Sequence, residues 1–72
     1  MKKLGENIRI IREIKGFTQE GLANLIGCSQ KQISRLENGQ TPIKEKCLSR
    51  IAQALDTSID KIENFDISSF LK

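Results

Sequence analysis

The stretch SQKQISRLENG, residues 29 to 39, carries Gln30, Lys31, Ser34, Arg35 and Asn38 and only two apolar residues, Ile33 and Leu36. Set out at about 100° per residue from Gln30, Ile33 falls at roughly 300° and Leu36 at roughly 240°, so the buried direction is about 270°. On the other side lie Ser34 (roughly 40°), Asn38 (roughly 80°), Lys31 (roughly 100°) and Arg35 (roughly 140°). None of these groups is a nucleophile with a base beside it; all are hydrogen-bond donors or acceptors. A Gln amide can pair bidentately with an adenine edge and an Arg guanidinium with guanine, while Lys and Asn reach phosphate oxygens. Lys31 fits either a base or a phosphate. The competing reading is a merely solvated helix face.

Other chemistries find less in the sequence. There is no histidine, and Cys28 and Cys47 stand 19 residues apart. Zinc needs more ligands at tighter spacing, and a reactive thiol would lack an imidazole partner, so both cysteines read as reduced packing residues. No pair of carboxylates suggests acid–base work and no glycine loop suggests a phosphate cradle; Glu45 and Glu63 read as helix surface. Neither an enzyme nor a metal or cofactor site is expected. No apolar run approaches the roughly 20 residues that span a bilayer. The start, MKKLGEN, lacks an apolar stretch after its basic pair, so neither a membrane nor a secretory route is expected and the cytoplasm is the default. Residues 1–50 hold ten Lys or Arg against five Asp or Glu, whereas residues 51–72 hold two against four. A basic body with an acidic end suits a polyanion on one side only.

The elements that must position these side chains are helical throughout. Seventy-two residues, 38% hydrophobic, make one domain near the lower limit of a self-sufficient core. Leu4, Ile8 and Ile11, with Ile14 widening the stripe, predict a first helix from about residue 4 to Lys15, closed by Gly16. Thr18 caps a second helix that turns Leu22, Ala23 and Ile26 inward and ends at Gly27; Ser29 caps the third. Thr41-Pro42 reads as cap and first position of a fourth helix, with Leu48, Ile51, Ala52 and Leu55 on its apolar stripe. After the turn at Asp56-Thr57, Ser58 caps a short fifth helix presenting Ile59 and Ile62. No segment alternates long enough for a strand.

The segment QEGLANLIGCSQKQISRLEN (19–38) places Ala23 where two helices must approach, Gly27 in the tight turn and Ile33 where the second helix locks onto the first. That is a helix-turn-helix spacing. Over a wider span, IRIIREIKGFTQEGLANLIGCSQKQISRLENGQ resembles the phage repressor/Cro-type (XRE family) helix-turn-helix DNA-binding domains. The resemblance rests on Arg12, Gly16, TQE at 18–20, LA at 22–23, the S…IS.LENG pattern over 29–39 and IAQAL at 51–55, and it covers roughly residues 4–65. It implies a compact all-α, five-helix, lambda-repressor-like domain over residues 1–65, with 66–72 a tail that either forms a dimer contact or frays. It also implies that the 29–38 helix enters the major groove of double-stranded DNA, with Gln30, Lys31, Ser34 and Arg35 at bases or nearby backbone and Gln19, Ser29 and Asn38 on phosphates. Two departures stand out: Gly21 replaces the usual helix former, at about 1 kcal/mol, and Asp56 stands where the family prefers glycine.

On this resemblance the leading expectation is a dimeric, sequence-specific repressor of transcription. The alternative is an antitoxin that binds DNA and also a partner protein, for which the apolar tail NFDISSFLK (64–72) would serve. Ile59, Phe65, Ile67, Phe70 and Leu71 are the candidate dimer contacts, against the reading that Phe65 plugs the monomer core. Glu37 sits at roughly 340° on the wheel, closer to the buried direction than to the reading face, in a last turn whose dipole disfavours an anion. The resemblance brings it together with Arg12, which flanks the first helix's stripe, so a buried bidentate Arg12–Glu37 pair is expected. A loosely paired, solvated Glu37 is the alternative.

Overall fold

Five helices follow one another: α1 (Lys2–Ile14), α2 (Gln19–Ile26), α3 (Gln30–Glu37), α4 (Glu45–Ala54) and α5 (Ile59–Glu63). The structure, a computed structural model, describes residues 2–66. Ile67, Phe70 and Leu71, assigned from sequence to a dimer contact, lie outside the described residues.

The core is aliphatic and drawn from every helix. Ile8, Leu22, Ile33, Ile51, Leu55 and Ile62 are its largest fully buried side chains, and Ala23 and Ala52 are buried with them. The periodic stripe Leu48, Ile51, Ala52 and Leu55 is buried in full, as the i, i+3, i+4, i+7 spacing requires. Helix starts follow the sequence signals at three places. Thr18 accepts a hydrogen bond from the backbone N–H of Gly21 at 2.9 Å, and Ser58 accepts one from Lys61 at 3.2 Å. Ser29 forms a complete capping box with Gln32, its hydroxyl accepting from the Gln32 N–H and its own N–H donating to the Gln32 side chain. Between α2 and α3, Gly27 takes φ 76°, a left-handed conformation that lets the chain reverse within three residues. Asp56 adopts the same region at φ 54° without being glycine, and its short polar side chain tolerates that better than most.

Three local expectations are corrected. The first helix begins at Lys2 rather than near residue 4, because Gly5 in its first turns is buried against the end of α3 and tertiary packing holds that turn. Ile14 is 39% exposed rather than part of the core, since the helix ends there and runs past the packed helices. The fourth helix starts at Glu45, not at Pro42, and its cap residue Lys44 makes no side-chain capping bond. Ile43 explains the difference: it packs half-buried on the core, and the irregular stretch before α4 delivers it there. A helix begun at Pro42 would satisfy the local cap signal at the expense of that contact.

Packing sets α1 across two neighbours, α3 and α5. Gly5, Ile8 and Arg12, spaced i, i+3, i+7, form one stripe of α1, and two of them meet α3 directly. On another stripe Asn7 is buried and its amide donates to the carbonyl of Ile62 in α5 at 2.8 Å. No helix among the described residues is long and apolar enough to cross a membrane.

Candidate nucleic-acid interface

α3 is held by its inner face. Ile33 and Leu36 are buried in the core, and Glu37 joins them at 3% exposure. An unpaired carboxylate there would be very costly. Its Oε2 accepts from Arg12 Nε at 2.7 Å and its Oε1 from Arg12 Nη2 at 3.1 Å, a fork-to-fork geometry that fixes both planes. Arg12 is itself 6% exposed, and its remaining nitrogen, Nη1, donates to the carbonyl of Phe17 at 2.6 Å. One buried guanidinium thus ties α1, the α1–α2 turn and the end of α3 together.

The same carboxylate reaches toward the surface. Gln19, the first residue of α2, donates from Nε2 to Glu37 Oε1 at 3.0 Å. Gln30, the first residue of α3, places its Nε2 3.5 Å from Gln19 Oε1. The sequence reading put Gln19 on a phosphate and had no part for it in the ion pair. A glutamine after a cap residue carries no signal of what it faces; only the proximity of the starts of α2 and α3 to the end of α3 reveals the chain Arg12–Glu37–Gln19–Gln30.

The outer face of α3 is open. Gln30, Lys31 and Arg35 are exposed and Ser34 is half-buried. Asn38 follows α3 as an exposed residue, with Nδ2 3.5 Å from Ser34 Oγ. Among the described residues neither Lys31 nor Arg35 enters an ion pair; the pairs formed are Arg9–Glu13, Arg12–Glu13 and Arg12–Glu37. Two cations are therefore free for an outside partner, and the one acid in α3 is neutralised from within. Ser29 is exposed; its hydroxyl accepts from the Gln32 N–H in the helix cap and lies 3.5 Å from Gln32 Oε1 as a long donor. Gln19, Ser29, Gln30, Lys31, Ser34, Arg35 and Asn38 all belong to the two helix starts and to the outer face of α3. Ile59 and Phe65 are elsewhere, half-buried against the core on α5 and just after it. Among the described residues there is no cluster of three or more His, Cys, Asp or Glu able to hold a metal ion.

Comparison with known proteins bears on this arrangement. The Helix-turn-helix family matches residues 8–62 of the chain. The competence pilus inhibition repressor of Acinetobacter baylyi is 34% identical over 67 residues, covering 88% of this chain and 61% of that protein. Antitoxin PezA of Streptococcus pneumoniae serotype 4 is 31% identical over 55 residues, covering 76% of this chain and 35% of the antitoxin. The chain thus spans less than two thirds of either relative's length. Among solved structures, the restriction-modification controller protein C.AhdI from Aeromonas hydrophila superposes with a TM-score of 0.82 at 31% identity, covering 85% of this chain and 92% of the other. With α2 and α3 braced from inside and the cations of α3 turned outward, the chain belongs to the helix-turn-helix family of DNA-binding transcriptional regulators.

Proposed function

We propose that the protein is a sequence-specific repressor that binds a pseudo-palindromic operator as a homodimer in the cytoplasm, with α3 in the major groove. The observation that carries this reading is the division of charge on α3: Lys31 and Arg35 are exposed without an ion-pair partner among the described residues, while Glu37 is turned inward onto Arg12. A solvated face would have no need to bury its only acid. In this reading Gln30, Ser34 and Arg35 face base edges, Lys31 a base or a phosphate, and Gln19, Ser29 and Asn38 the backbone. Gln19 reaches its phosphate pre-oriented, because one N–H of its amide nitrogen is already held by Glu37 and the other is left to donate to a phosphate oxygen.

Selection of bound sequences from random duplex DNA provides the site on which to test this. Arg35→Ala is expected to cost about 1–3 kcal/mol on the best site and to relax preference at one base pair. Lys31→Ala, if its partner is a phosphate, lowers the salt slope by about one unit with little change in specificity. Binding that is indifferent to both changes at moderate salt defeats the assignment of α3 as the reading helix.

Two-fold binding needs half-sites about 34 Å apart and therefore a contact between copies. Ile59 and Phe65 each leave part of their surface uncovered, and with Ile67, Phe70 and Leu71 they supply apolar residues for that contact. Sedimentation is expected to show a dimer at high micromolar concentration; a monomer both with and without DNA would refute a stable dimer. The similarity to antitoxin PezA favours a second reading, in which the same domain also binds a partner protein. Copurification of one unrelated small protein from the native host, in constant ratio, separates it from the first.

A further inference from the structure

Cys28 and Cys47 have no part in the interface, yet the fold brings them together. Cys28 lies in the turn between α2 and α3, directly after Gly27 and directly before Ser29, the cap of the reading helix. Cys47 lies early in α4. Both are free thiols, half-buried rather than sealed, and both line the same two surface grooves. One groove, about 330 Å³, is lined by the two cysteines with Lys44, Lys46 and Arg50 among others. The second, about 320 Å³, is lined by the two cysteines with Gln32, Arg35 and Lys44 among others. Two thiols thus share open space with four cations, and no acidic side chain lines either groove among the described residues.

We infer that Cys28 and Cys47 form a dithiol site that exchanges with small anionic disulfides and closes to an intramolecular disulfide, weakening the grip of α3 on DNA. The regulatory half rests on the DNA-binding reading above; the thiol chemistry stands apart from it. The cations supply the attraction for an anionic reagent. Burial, and then the neighbouring Cys47, push the Cys28 thiol above its ordinary range, so the first attack falls to Cys47. Its thiolate displaces one thiolate from the disulfide R–S–S–R and forms a mixed disulfide. The Cys28 thiolate then attacks the Cys47 sulfur and expels the second R–S⁻. The two cysteines are oxidised, the small disulfide is reduced to two thiols, and those thiols take up the two protons.

The consequence for DNA follows from what the bridge ties. It draws the turn that starts α3 toward α4 and narrows a groove of which Arg35 and Gln32 form part of the wall. A reading helix re-aimed in this way loses the alignment of its base contacts.

The test uses the full chain, reduced, freed of reductant and then incubated with glutathione disulfide. The expected product has lost two hydrogens and both titratable thiols, runs as a single chain without reductant, and returns to the starting mass with dithiothreitol. Its affinity for the selected site is expected to fall by about tenfold, the worth of one base contact, and to recover on reduction. Cys28→Ser and Cys47→Ser are expected to bind DNA as the reduced chain does and to form no internal bridge. Two thiols still titrating after oxidation, stable glutathione adducts on both cysteines, or only cross-linked pairs of chains would overturn the dithiol site. A bridged chain that binds DNA as tightly as the reduced one overturns the regulatory half. If the reduced chain binds no DNA at all, the operator reading is what fails, and the mass measurement still decides whether the bridge forms.

Discussion

Glu37→Ala is expected to destabilise the fold by about 3–5 kcal/mol, far more than removal of a surface acid, which is worth about 0–1 kcal/mol. Glu37 is 3% exposed and its partner Arg12 6%. Deleting the acid leaves the buried Arg12 with the Phe17 carbonyl at 2.6 Å and only the exposed Glu13 carboxylate, 3.9 Å away, as a counter-charge. It also releases Gln19, whose amide loses its acceptor on Glu37. Arg12→Ala should cost a comparable amount, and the double variant much less than the sum, because the penalty is for an orphaned charge rather than for a lost attraction. Replacing both partners by Met is expected to recover most of the stability, since it removes both charges while keeping bulk. Urea unfolding of the four variants measures this directly. Single substitutions that are each mild and simply additive would show that the pair contributes nothing specific. Retained stability with weakened DNA binding in the double-Met variant would assign to the pair the second job of orienting Gln19.

What the sequence discloses here depends on how far each property reaches along the chain. The helix starts at Thr18, Ser29 and Ser58 and the left-handed turn at Gly27 are local: a cap hydroxyl and a missing Cβ act within three residues, and the structure has them where the sequence places them. The α4 stripe is nearly as legible, because apolar spacing repeats over two turns. The start of α4 is not. Thr41-Pro42 is as good a cap signal as Ser58, but the core claims Ile43, a contact no local rule contains. The inward turn of Glu37 follows from its wheel position, whereas its exact partners need the crossing of α1 over α3. The Gln19 link and the placing of Cys28 and Cys47, 19 residues apart, on the same grooves are tertiary in the same sense, products of how α2, α3 and α4 stack. The outer face of α3 is legible as a face; its contacts are a property of two molecules.

Gly5 is the clearest residue of this last kind, and Gly5→Ala is expected to cost about 3 kcal/mol, the upper end of the range for overpacking. In an exposed helix interior the same change gains about 1 kcal/mol, because alanine is the better helix former. Here a Cβ would meet backbone at two points, colliding with the Leu36 carbonyl oxygen and sitting 2.8 Å from that of Glu37. Neither neighbour is a side chain that can rotate away; both are main-chain atoms at the end of α3, so α1 and α3 must separate. The separation acts on the same stripe of α1 that carries Arg12, seven residues on. Gly5→Ala should therefore also weaken the Arg12–Glu37 pair, and the coupling energy from the double-mutant cycle is expected to be smaller in the alanine background than in the native one. Chemical denaturation gives the first quantity and the repeated cycle the second. A stabilised Gly5→Ala protein would mean that α1 does not pack this closely on α3. A destabilised one with undiminished coupling would mean that the helices part at residue 5 alone, pivoting about Ile8 and leaving the ion pair in place.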